Sequence, residues 1–344
     1  MKVVTSTDYK SHNPSGFIAR GQRTANPEVP ERAEIFLEAV RKGGHVLVEA
    51  QDHGMAPIEA IHASDYLDFL QTAWQEWSAL PGAGPEIIPN VHSGRNMSIH
   101  PTHIVGKSGH YQADTACPIG PGTWEGVYAS AQAAVTAAEL VRESGDAAFA
   151  VCRPPGHHAY ADQAGGFCFV NNSAVAAQRL RDLGAKRVTI LDVDVHHGNG
   201  TQGIFYRRSD VQTVSIHGDP RYFYPWFTGY ADELGEGPGR GFNLNLPQDQ
   251  GTGDEGFLAA LEAAFDAINN FQPEALVVAL GLDASEKDPL AFLAVTTEGF
   301  RRIGARLGKA GVPTLLVQEG GYISDILGDN LAAVLSGFEG GVYF

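Results

Sequence analysis

Four short apolar runs in this chain each stop on residues capable of chemistry, and that repetition constrains the fold more than any other feature. Residues 188–194 lead into His196-His197-Gly198-Asn199-Gly200, and residues 149–152 into Arg153-Pro154-Pro155-Gly156-His157-His158. Residues 276–282 end on Asp283, and 314–318 run into Glu319-Gly320-Gly321-Tyr322. Runs this short and this apolar read as strands buried on both faces. In open α/β sheets, ligands bind at the carboxyl ends of the strands, so one parallel sheet would gather all four polar ends in one crevice. Further strands are predicted at 3–6, 45–49 and 213–217, and amphipathic helices at 124–142, 173–183 and 254–269. Strands alternating with helices predict an α/β protein whose central, mostly parallel sheet is covered on both faces.

The residue types at the strand ends suit a cation and a proton shuttle. In an extended strand alternate side chains share a face, so Asp192, Asp194 and His196 are expected to point one way and Val193 and Val195 into packing. Ligand-type side chains two positions apart, about 7 Å along the strand, can converge on one ion. Adjacent histidines such as His157 and His158 suit divided labour, one charged and one neutral, because each imidazole follows its own partner. Taken singly, these residues also read as loop caps or solvent-facing histidines. Their recurrence at four strand ends favours a site.

Composition narrows the class. The 344 residues are 43% hydrophobic and 19% charged, so a large core is expected and disorder is not. Neither a repeat nor a composition break marks a linker, and residues 1–344 are read as a single catalytic domain. The net charge of −16 lacks the basic footprint that nucleic acid needs. An acidic surface steers cationic substrates, though it also serves solubility alone. Cys117, Cys152 and Cys168 show no Cys-x-x-Cys spacing and cannot all pair with one another, and at least Cys152 and Cys168, which lie in apolar runs, are expected reduced and buried. With no signal-peptide core at residues 1–6 and no run of ~20 apolar residues, the expected placement is cytoplasmic, without a membrane partner.

The ordered motifs resemble the zinc-dependent histone deacetylase and acetylpolyamine amidohydrolase family of the arginase-deacetylase superfamily. The likeness spans nearly the whole chain. It rests on the segments quoted above together with Gly165-Gly166-Phe167-Cys168-Phe169-Val170-Asn171-Asn172. Pro121-Gly122-Thr123-Trp124-Glu125 and His217-Gly218-Asp219-Pro220 are most similar to the bacterial acetylpolyamine amidohydrolases. The resemblance implies the three-layer α/β/α arginase-deacetylase fold. It also implies one catalytic Zn2+ per subunit on Asp194, His196 and Asp283, a ligand set that would also take Fe2+, Mn2+ or Co2+.

By the same resemblance, His157 faces Asp192 and His158 faces Asn199, where many deacetylases carry a second aspartate. A carboxylate stabilises imidazolium more than an amide does, so His158 is assigned as general base and His157 as its electrostatic partner. Tyr322 would donate to the developing oxyanion. Asp192, Ser215 and Ile216, with backbone carbonyls of Asp194 and His196, resemble the family's structural K+ site. His197 is expected to pack rather than ligate.

Phe167 and Tyr224 occupy the aromatic positions of the family's tunnel, and Gly166 and Gly320 would let backbone approach the substrate. Asp114 lies in the loop where relatives carry a glutamate, which aligns nearer Ala116 here, and it is the expected contact for a distal ammonium. The long stretches 9–30 and 80–115 are read as loops that narrow the tunnel and build a homodimer interface. Within them His12, Arg20 and Arg23 are read as ordinary exposed loop residues. The implied substrate is a small cationic acetylated amine. An acetyl-lysine deacetylase acting on proteins and a non-catalytic acetyl-amine sensor are the alternatives, and a binuclear manganese ureohydrolase would need further ligands that the motifs lack.

Overall fold

The computed structural model describes residues 1–94, 96, 97 and 99–340. From the amino terminus come β1 (Lys2–Thr5), a hairpin of β2 (Gly16–Ala19) and β3 (Gln22–Ala25), α1 (Glu31–Lys42) and β4 (Val46–Glu49). Helices α2 (Ala56–Glu59), α3 (Ser64–Ser78), α4 (Ile104–Tyr111) and α5 (Thr123–Ser144) follow. Next are β5 (Ala148–Ala150), α6 (Asn172–Asp182), β6 (Val188–Asp192), α7 (Asn199–Phe205), β7 (Val211–Gly218) and β8 (Asn243–Gln248). The chain then runs through α8 (Asp254–Phe271), β9 (Ala275–Leu280), α9 (Thr297–Leu307), β10 (Thr314–Gln318) and α10 (Leu327–Phe338).

Eight strands form one sheet in the order β4-β1-β5-β10-β9-β6-β7-β8, and every pairing is parallel. Alternating side chains feed two separate cores. Val277 of β9 and Leu315 and Val317 of β10 join α3, α5 and α6 on one face, with Ala134, Val135 and Leu180. Leu276, Val278 and Leu316 point the other way, to Phe36, Phe265, Ile303 and Leu331 of α1, α8, α9 and α10. Two apolar faces, each under its own helical layer, make the three-layer α/β/α architecture.

The predicted strands and helices are present with shifted ends, and three expectations change. The strand expected through residue 194 stops at Asp192, whose Oδ1 accepts the Asp194 N–H at 3.1 Å and starts a turn. The stretch 9–30 holds the β2–β3 hairpin, and 80–115 holds α4, so neither is loop throughout. His12 is buried rather than exposed: its ring bonds Thr123 Oγ1 at 3.0 Å and its carbonyl accepts from Arg153. Among the described residues no helix is long and apolar enough to cross a membrane.

Candidate active site

The strand order sets β5, β10, β9 and β6 side by side, so the four polar strand ends meet at one edge of the sheet. Asp194 and His196 follow β6, and Asp283 follows β9. His196 Nδ1 lies 3.1 Å from Asp194 Oδ1 and 3.1 Å from Asp283 Oδ2. All three side chains are buried, with one ligand atom of each within 4.8 Å of the others. Backbone fixes them: Gly320 N–H donates to Asp194 Oδ2 at 2.8 Å, and Val195 N–H to Asp283 Oδ1 at 3.0 Å.

The trio fits a divalent cation. Burial and the Asp194 charge both push the Asp283 carboxyl up, which is the electrostatic signature of two carboxylates sharing a small space. Burial also raises Asp194, but His157 and His196 outweigh it and hold that carboxyl well below the usual range. Glycine is required on either side, because a Cβ at Gly281 would strike the Asp194 carboxylate and one at Gly320 would strike both carboxylates. Two carboxylates and one imidazole are the donor set of an open catalytic site, and a 2+ ion would nearly neutralise them.

The paired histidines end the turn after β5. His157 Nδ1 lies 2.9 Å from Asp192 Oδ2, and His158 Nδ1 lies 2.6 Å from Asn199 Oδ1. Their surroundings treat them oppositely. Burial disfavours charge on His157, but Asp194 and Asp192 outweigh it and raise its pKa well above 6.5. His158 is driven well below 6.5 by burial, with repulsion from His157 and His196 adding to it. The pair is seated by Glu319, whose Oε2 accepts from Gly156 N at 2.6 Å and His157 N at 3.0 Å while Oε1 accepts from Ser173 Oγ at 2.8 Å. Burial pushes that carboxyl up to about 7.

Tyr322 is buried at the end of the turn after β10, where Gly321 adopts φ +112°, a region that favours glycine. Arg32, reaching in from α1, donates to Gly321 O at 2.5 Å and Glu319 O at 2.7 Å, and its guanidinium lies 4.8 Å from the Tyr322 ring centre. Glu28 neutralises it at 2.8 Å and also meets Arg153 Nε at 2.9 Å. Removing one member of such a buried network typically costs about 3–5 kcal/mol. Burial pushes the Tyr322 hydroxyl well above its usual pKa although Arg32 opposes this, so the group is a proton donor.

Around this floor stand aromatic residues. Tyr224 is edge-on to His158, with ring centres 5.0 Å apart, and its hydroxyl donates to Asp114 Oδ2 at 2.6 Å. Asp114 also accepts from Gly166 N at 3.3 Å and Ala116 N at 2.8 Å, so the expected ammonium contact is already the anchor of Tyr224. Phe167 meets Tyr322 at 5.9 Å and Phe17 of β2 at 5.4 Å, which makes the hairpin part of the wall. Phe223 stacks on the His196 ring at 4.7 Å and 14°. Asp192 and Ser215 are register partners on β6 and β7, with Ile216 next to them in the core. His197 packs on His217 and bonds Gln202 Oε1 at 3.1 Å.

Sequence reasoning missed Arg32, Glu28, Asp288, Phe223 and Phe17. Charged residues on a helix read as its wet face, and only the fold shows Arg32 to be buried.

Parallel strands ending in a carboxylate–imidazole–carboxylate trio, beside a charged and a neutral histidine and a buried tyrosine, define a hydrolase site built for a cation, water and a proton shuttle. The chain belongs to the histone deacetylase domain family, whose model matches residues 26–338. It is 45% identical over 345 residues to acetylpolyamine amidohydrolase 1 of Pseudomonas aeruginosa, covering 99% of both chains. Identity to the acetylpolyamine amidohydrolase of Mycoplana ramosa is 43%, over 99% of this chain and 100% of that one. The crystal structure of an acetylpolyamine aminohydrolase from Burkholderia pseudomallei superposes with a TM-score of 0.94 at 43% identity, covering 98% of each chain. The HDA15 HD domain superposes at 0.83 with 27% identity, covering 99% of this chain and 88% of that one.

Proposed function

We propose that this chain hydrolyses the acetamide of small N-acetylated diamines and polyamines, of the acetylputrescine and acetylcadaverine type, to the free amine and acetate. The observation that carries the reading is the opposite treatment of two adjacent histidines, one 2.9 Å from a carboxylate and the other 2.6 Å from an amide, beside three cation ligands. Full-length similarity to proteins named acetylpolyamine amidohydrolase supports the substrate class.

Asp194, His196 and Asp283 would hold Zn2+, with Fe2+, Mn2+ or Co2+ also suited to the set, and the bound ion supplies a Lewis acid for the acetamide carbonyl and the attacking water. His158 donates its Nδ1–H to Asn199 Oδ1, which leaves the Nε2 lone pair free. That nitrogen takes a proton from the water and delivers it to the leaving amine. His157, charged against Asp192, stabilises negative charge without exchanging its proton. The Tyr322 hydroxyl donates to the substrate oxygen as that oxygen gains charge. Phe167 and Tyr224 flank the alkyl chain, Gly166 and Gly320 allow close approach, and Asp114 attracts the distal ammonium. A structural K+ is assigned to Asp192, Ser215 and Ile216 with the carbonyls of Asp194 and His196. The whole chain acts as one catalytic domain, in a homodimer built on the 9–30 and 80–115 segments, and works in the cytoplasm.

Release of amine and acetate in equal amounts from acetylputrescine by zinc-loaded protein, lost on stripping the metal, would support this reading. A loaded protein that cleaves none of acetylputrescine, acetylcadaverine and acetylspermidine would overturn it.

A further inference from the structure

The carboxylate of Asp288 is buried, yet it is neither a cation ligand nor a partner of the histidine pair. It lies in the segment between Asp283 and α9, which is pinned by the Ser285–Val295 bridge and by Asn330 Nδ2 donating to Ser285 Oγ at 3.1 Å. Both of its oxygens are taken by backbone. Oδ1 accepts the Leu290 N–H at 2.8 Å, closing its own turn, and Oδ2 accepts the Tyr322 N–H at 2.8 Å.

The second bond crosses between two segments of the site. It joins the segment that follows Asp283 to the Tyr322 amide nitrogen, the atom next to the Cα that carries the side chain. At the other end of that peptide Arg32 donates to Gly321 O, and it also donates to Glu319 O and lies over the ring, while Leu282 N–H donates to Gly320 O at 3.1 Å. Gly321, at φ +112°, precedes Tyr322 and provides no stiffness of its own. The Gly321–Tyr322 peptide is therefore held at its carbonyl by Arg32 and at its N–H by Asp288, so losing the Asp288 bond frees the N–H end, and a long side chain magnifies the resulting tilt at the hydroxyl.

We infer that Asp288 is a positioning residue for Tyr322, setting the hydroxyl where charge develops on the substrate. The inference rests on the proposed role of Tyr322 in acetamide hydrolysis. Two substitutions separate this bond from the local turn. Asp288→Asn is nearly isosteric but has one acceptor oxygen. With that oxygen on the Leu290 N–H, its NH2 faces the Tyr322 N–H. Asp288→Ser retains an acceptor for Leu290 and is too short to reach Tyr322.

The test is a double-mutant cycle on zinc-loaded protein with acetylputrescine, crossing each Asp288 variant with Tyr322→Phe. Each Asp288 variant alone should lose on the order of 30- to 100-fold in kcat with KM changed less than about 3-fold, as expected for displacement of a group acting in the transition state. In the Tyr322→Phe background the same substitution should cost less than about 3-fold, because the hydroxyl it positions is gone. Full multiplicative loss in that background would show general damage and overturn the inference, as would wild-type kcat in both Asp288 variants. Wild-type activity in Tyr322→Phe itself would instead overturn the proposed role of the tyrosine.

Discussion

Protonating His62 should loosen the scaffold under the histidine pair, and the size of the effect follows from its surroundings. His62 is buried, and its Nε2 accepts the backbone N–H of Asn171 at 3.0 Å, which only the neutral ring can do. Asn171 in turn caps α6 and donates through Nδ2 to Ala159 O at 3.1 Å, directly after His158. Burial lowers the His62 pKa from 6.5 to about 4, although the carbonyls of Ala161 and Tyr160 pull the other way. Between those values the unfolded chain binds a proton that the folded one refuses, so stability falls as pH falls below 6.5 and levels off below about 4. At about 1.4 kcal/mol per tenfold change in proton affinity, the full loss is on the order of 3 kcal/mol, of which about 2 kcal/mol is gone by pH 5. His217, lowered by burial to about 4, contributes a separate loss of the same sign. Urea unfolding of wild type and His62→Gln at pH 7 and pH 5 isolates the His62 share, because a glutamine oxygen accepts the Asn171 N–H at either pH. The wild type should lose about 2 kcal/mol more than the variant across that interval. Equal losses would refute the reasoning.

Three further outcomes are expected. Tyr322→Phe should lower kcat about 100- to 1000-fold on acetylputrescine with little change in KM, the usual effect of removing one oxyanion donor. The pH profile of kcat/KM should stay level from pH 8 to 6.5 and fall only below that, as the depressed His158 takes up its proton; an acid limb centred at pH 7 or above would contradict a neutral base. Asp114→Ala should raise KM for acetylputrescine about 5- to 10-fold, roughly 1 kcal/mol for a half-exposed charge pair. Tyr224→Phe, which removes the hydroxyl bonded to Asp114 at 2.6 Å, should not raise it comparably.

The architecture was legible because burial leaves a periodic trace. The β9 and β10 runs are apolar on both faces, and their adjacency with β5 and β6 follows from the parallel topology. Strand β8 was not legible: Asn243-Leu244-Asn245-Leu246-Pro247-Gln248 alternates polar and apolar and carries a proline, which only the sheet edge tolerates. Helix α4 was hidden by Gly106 and Gly109, and the β2–β3 hairpin by its short polar strands. In the site, ligand-type residues were readable from motif and strand position. The strand end was not readable: it falls at Asp192 and not at Asp194, because a strand pattern cannot announce the turn that the Asp192 carboxylate begins. Arg32, Glu28 and Asp288 left no local signal, since what gives them meaning is a partner far along the chain: Arg32 meets Gly321 and Asp288 meets Tyr322.

The most direct test of the central claim is the ratio of kcat/KM for acetylputrescine to that for an acetyl-lysine peptide, measured on the zinc-loaded protein. The account predicts clear preference for the diamine, because the proposal gives the distal ammonium to Asp114 and the alkyl chain to Phe167 and Tyr224. Preference for the peptide would make the chain a protein deacetylase and contradict it.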